Sequence, residues 1–244
     1  MSRGRWVAVA GLAAALAVYT AGAGRLWDAG VWPDVLFLSL VLFPAFLAMV
    51  WLLLPLWRSR GLLPVGLALG VLAVLLRLAE LDVLFNLAKL FALVVLGFWF
   101  LSYFETVAWA VLVAAIVPWV DAFSVWRGPT EYVVSEQPGV FENLSIAFRV
   151  PGSDGTANLG PPDILFFALF LGAAARFGLR VAWTWIVTTL LLGATLVLTA
   201  TTDVAGLPAL PAVCLGFLLP NADLLWRALR PAAKLDSDGT SKET

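Results

Sequence analysis

The chain has 244 residues, of which 62% are hydrophobic and only 13% charged, where soluble domains run near half and a quarter. The net charge of −1 says nothing about partners, and there is no basic patch for nucleic acid. With no histidine and one cysteine, Cys214, the chain can form neither a His-based triad nor an internal disulfide nor a thiolate metal cluster. No metal or cofactor is expected, and any catalysis falls to carboxylates or hydroxyls.

A helix that crosses a bilayer needs about 20 mostly apolar residues. Such runs lie at 6–23, 33–56, 61–79, 83–103, 106–126, 161–178, 181–199 and 206–225. About eight spans predict an all-α, polytopic membrane helix bundle. Arg3 and Arg5 precede the first run, which ends near Ala21-Gly22-Ala23 like a signal-peptide cleavage site. In a chain so rich in spans it is read as a retained helix. Asp82, Asn86 and Lys89, spaced four and three apart, share one helical face. Lys89 is read as snorkelling or pairing with Asp82, and Arg77 as pairing with Glu80 three residues on. Trp27, Trp32, Trp57 and Trp126 fall near span ends, as interfacial belts do.

One polar loop, 127–160, interrupts the second half. It divides the chain into N-terminal helices over 1–103, a core over 104–225 and a polar tail over 226–244. Within the loop, Asn143-Leu144-Ser145 fits a glycosylation sequon, and Leu144 to Val150 alternates with β-favouring residues. The alternation predicts an edge strand able to pair with an extended peptide.

Alternate loops give a charge asymmetry. One face collects Arg3, Arg5, Arg58, Arg60, Arg176, Arg180, Arg227, Arg230, Lys234 and Lys242. The other holds Arg25, Arg127 and Arg149 among Glu131, Glu136, Glu142, Asp154 and Asp203. By the positive-inside rule both termini are expected in the cytoplasm of a cell-membrane protein, with loop 127–160 outside.

Asp121 and Asp163 are each embedded in apolar sequence on either side of that loop. A carboxylate at the centre of a spanning helix costs about 2.5–3.5 kcal/mol on insertion scales, which makes each acid a candidate functional group. Asp121 lies six residues before Arg127, and Asp163 a few residues into the next span. Both should sit at similar shallow depth. The last span starts on the same face with Pro208-Ala209-Leu210-Pro211. Plainer readings exist for each feature. Pro161-Pro162-Asp163 suits an ordinary helix N-terminus, Asp121 suits an interfacial partner of Arg127, and the last prolines suit a helix start.

Taken together, these segments resemble the presenilin and signal-peptide-peptidase family of intramembrane aspartyl proteases. The residues that carry the resemblance are Val120-Asp121, Gly160-Pro161-Pro162-Asp163 and Pro208-Ala209-Leu210. Ala108-Trp109, Arg127-Gly128-Pro129 and Ile164-Leu165-Phe166-Phe167 flank them at similar spacing. Coverage is roughly residues 103–225. Val120 stands where the family has tyrosine, and Pro162 where it has glycine. The resemblance implies a presenilin-like arrangement of the catalytic helices and an Asp121/Asp163 dyad. It also implies substrate contacts at Gly160, Pro208, Ala209 and Leu210, and transmembrane helical or signal-peptide-like substrates drawn from the lipid bilayer. Two other functions stay open: a catalytically inactive relative that binds transmembrane helices, and a small transporter. The clustering of acids and prolines in one half, without repeated halves, argues against transport.

Overall fold

The computed structural model describes residues 2–127, 143–153, 155–202 and 207–230. The Gly128-Pro129 pair, Glu131, Glu136, Glu142, Asp154, Asp203, Lys234, Lys242, the side chains of Trp126 and Arg127, and the tail from 231 lie outside the described residues.

Helix α1 (Arg3–Gly22) starts at Ser2, whose hydroxyl accepts the Arg5 N–H at 3.4 Å. Helix α2 (Val31–Phe37) continues through a π-helical turn, Leu38–Leu42, into α3 (Phe43–Leu53). The wide turn falls where Pro44 has no N–H to give the carbonyl one turn back, so the ladder must loosen there. Helices α4 (Leu62–Leu78), α5 (Asp82–Leu101) and α6 (Val107–Arg127) follow. A short hairpin, β1 (Ile146–Arg149) and β2 (Thr156–Leu159), leads directly into α7 (Pro161–Arg176). Helices α8 (Val181–Thr201) and α9 (Leu210–Leu229) complete the bundle.

Among the described residues, six helical stretches are long and apolar enough to cross a membrane: Arg3–Arg25, Val31–Arg58, Asp82–Leu101, Val107–Ser124, Val181–Thr201 and Leu210–Leu229. The chain is thus an all-α membrane helix bundle. The other two expected spans form α4, with 17 residues, and α7, with 16. At 1.5 Å per residue α7 is only about 24 Å long. It is also the most enclosed helix, with Ile164, Phe167, Leu169, Leu171 and Ala173 at 0–1% exposure. A helix surrounded by α5, α8 and α9 is solvated by protein, so it need not match the lipid thickness.

Small residues let these helices approach closely. A Cβ placed on Gly97 of α5 would come 2.5 Å from the Leu165 carbonyl oxygen and 3.0 Å from the Ala168 Cβ of α7. Gly216 of α9 lies against Thr188 of α8, so close that a Cβ on the glycine would stand only 2.6 Å from the Thr188 Cα. Apolar lipid gives helices little hydrophobic reason to associate, so such close backbone contact carries the packing.

Alternate helix ends meet on shared faces, as the loop assignment requires. At one face the Gly152 N–H donates to the Ala23 carbonyl at 2.9 Å, and Asn86, near the start of α5, bonds to Ala147. At the other, Arg176 donates to the Leu101 carbonyl at 2.8 Å, and Arg180 pairs with Asp223 at 2.6 Å.

Two expected local pairs are corrected. Arg77 pairs with Asp82 at 2.8 Å rather than with Glu80, which takes the left-handed conformation (φ 59°) in the turn between α4 and α5. Lys89 forms no ion pair with Asp82 among the described residues. Its ammonium group donates to the backbone carbonyls of Asn143, at 3.0 Å, and Ser145. The loop folds back onto the polar face of α5 and supplies carbonyls nearer than the carboxylate.

Candidate functional site

Asp163 is the third residue of α7, capped by Gly160. The Gly160 N–H donates to Asp163 Oδ2 at 2.9 Å, and the Asp163 N–H donates to the Gly160 carbonyl at 3.1 Å. This reciprocal cap satisfies two N–H groups that would otherwise be orphaned at the helix start. Pro161 and Pro162 occupy the first turn, where a missing N–H costs nothing, and Pro162 points outward. The proline at the family's glycine position is therefore compatible with the helix that presents the acid. Asp163 itself is buried at 8% exposure.

Asp121 lies near the end of α6, partly buried. Its Oδ2 accepts the backbone N–H of Leu210 at 3.1 Å, the first residue of α9. The Pro208-Ala209 stretch before it is not helical, so the Leu210 N–H has no carbonyl a turn earlier to claim it and is free for the acid. Asp121 and Leu210 are thus in direct contact across 89 positions of sequence. Val120 beside it is 61% exposed.

Helices α6, α7 and α9 pack against one another, and Cys214 is buried one turn into α9 at 1% exposure. Three elements thereby converge: the end of α6, the start of α7 and the start of α9. Each carboxylate has one oxygen held by a backbone N–H, and its second oxygen has no partner among the described residues. Of the predicted contact residues, Gly160 and Leu210 touch the acids directly. Pro208 and Ala209 form the unwound lead into α9.

The predicted edge strand exists, but it does not offer the edge expected. The Val150 N–H bonds to the Gly155 carbonyl at 3.0 Å, which fixes the alternation of the hairpin. Ile146–Leu159 and Phe148–Ala157 are then the hydrogen-bonded pairs, while Ala147 and Arg149 turn their backbone groups outward. Three of those four groups are occupied. The Asn86 amide donates to the Ala147 carbonyl at 2.9 Å and accepts the Ala147 N–H at 3.0 Å. Tyr19 Oη donates to the Arg149 carbonyl at 2.8 Å. The free edge belongs to β2, where the outward backbone groups of Thr156 and Asn158 have no partner among the described residues.

Sequence reasoning missed the roles of Tyr19 and Asn86 and a third buried acid, Asp34, at 7% exposure. Asp34 stands in the first turn of α2, where the helix dipole favours a carboxylate. An apolar groove of about 330 Å³ between the π-helical turn and α8 is lined by neither acid of the pair. No protein-family model matches the chain, and a search of the curated proteins finds no match.

Proposed function

We propose that the protein is an intramembrane aspartyl protease that hydrolyses peptide bonds of transmembrane segments through Asp121 and Asp163. The observation that carries the reading is the hydrogen bond from the Leu210 N–H to Asp121, combined with the packing of α6, α7 and α9 against one another. It joins the three segments on which the resemblance to presenilins and signal peptide peptidases rests. Two neighbouring carboxylates do not both ionise readily, so they share one proton. The ionised member takes a proton from water as it attacks the peptide carbonyl, and the protonated member donates to the carbonyl oxygen. Each acid is steered by one backbone N–H and offers its second oxygen to water or substrate.

A helical substrate must unwind before its carbonyl can be attacked. The free edge of β2 ends next to Gly160 and is suited to hold an unwound segment by β-augmentation. In this reading both termini lie in the cytoplasm of a cell-membrane protein and the loop lies outside.

The test is turnover of a labelled transmembrane peptide by the purified protein in lipid nanodiscs, beside Asp121→Asn and Asp163→Asn. Cleavage lost in both variants supports the dyad. Cleavage that survives in either one removes it. A wild type that binds the peptide without cutting it supports the helix-binding alternative instead.

A further inference from the structure

We propose that Asn86, with Lys89 and Tyr19 on either side, positions the hairpin and so sets the register in which an extended peptide meets the acids. This deepens the proteolytic reading and rests on it. The outward carbonyls along β1 and its lead-in are those of Ser145, Ala147 and Arg149, and each has a side-chain donor. Lys89 takes Ser145, Asn86 takes Ala147 and Tyr19 takes Arg149.

Asn86 is the central and most specific member. Its amide donates to and accepts from the same residue, as the backbone of a neighbouring strand would, and it is buried at 7% exposure. Leucine at that position would leave a donor and an acceptor of Ala147 without partners. Aspartate would keep the acceptor alone. The hairpin therefore cannot slide along α5 without breaking a pair of bonds. Its other strand ends at Leu159, next to the Gly160 whose N–H holds Asp163. A shift of the hairpin passes directly to the orientation of that carboxyl. It also moves the β2 edge against which a substrate would align.

The experiment compares wild type, Asn86→Leu, Asn86→Asp and Asn86→Gln on one transmembrane peptide, with cut sites mapped by mass spectrometry and kcat and KM measured separately. Residue-resolved amide exchange follows Ala147 and Val150 in the same samples. Loosening the register should spread cleavage in Asn86→Leu over adjacent bonds and lower kcat about tenfold with KM little changed. Asn86→Gln, which keeps the amide, should recover part of the single cut site. The Ala147 amide should lose protection in Asn86→Leu while Val150, bonded within the hairpin, keeps it.

An unchanged cut-site pattern, with activity falling only in proportion to folded protein, overturns the positioning role. So does an Ala147 amide that stays protected in Asn86→Leu. A wild type that cuts nothing defeats the protease reading and the register claim with it, while the Ala147 exchange still decides whether Asn86 anchors the strand.

Discussion

At Asp121 and Asp163 the geometry separates holding from reacting. One oxygen of each carboxylate is occupied by a backbone N–H, from Leu210 and Gly160 respectively. An asparagine at either position keeps a carbonyl oxygen that can accept the same N–H. Asp121→Asn and Asp163→Asn should therefore unfold near the wild-type temperature while turnover falls at least about 10²-fold, the usual scale of acid–base assistance. Paired thermal-melt and cleavage assays check both halves of that statement. If, as proposed, the active form carries one proton between the two acids, the pH profile of kcat/KM should pass through a maximum and fall on both sides. A profile with a single limb would argue against a shared proton. The acids were legible in the sequence because an acid in apolar surroundings is costly and rare. The clamp at Asn86 was only half legible. The shared face of Asp82, Asn86 and Lys89 could be read from spacing, but the partners of Asn86 and Lys89 are backbone groups of Asn143, Ser145 and Ala147, and backbone groups leave no mark on side-chain identity. The partner of Lys89 was hidden for the same reason.

Helices in this bundle are held by shape more than by apolar attraction. Gly216 faces Thr188 so closely that any side chain must push the α8 backbone away. Gly216→Leu should lower stability by about 1–3 kcal/mol through overpacking, read as a drop in the melting temperature of the detergent-solubilised protein. Because α9 also begins with the Leu210 N–H that orients Asp121, the same change should reduce turnover of the protein that remains folded. The existence and approximate bounds of the spans followed from hydropathy alone. Hydropathy did not foretell that α7, the helix carrying Asp163, is shorter than a bilayer is thick, because it carries no information about which helix sits in the middle. The strand at 146–149 was visible in the alternation from Leu144 to Val150. Which of its edges stays open depends on Asn86 and Tyr19, 61 and 130 residues from their partners, and lay beyond any local pattern.

Across the whole molecule, the N-terminal half serves as a cradle for the hairpin. Phe148 is buried at 2% exposure between Phe43 and Phe46, with ring centroids 4.6 and 4.5 Å away. The turn at Gly152 rests on the backbone of Trp27 and Asp28, and α5 holds β1 from the side. Phe148→Ala should cost about 3–5 kcal/mol if the site cannot collapse. Denaturation monitored by tryptophan emission checks the cost, and turnover should fall as the hairpin loses its seat.

The unequal edges of the hairpin limit how copies of this protein can meet. With most outward groups of β1 taken by side chains from α1 and α5, the open backbone edge among the described residues lies along β2. Two copies joined there leave sealed strands on both flanks of the joint sheet. Strand-to-strand association beyond a pair would then find few backbone groups to build on.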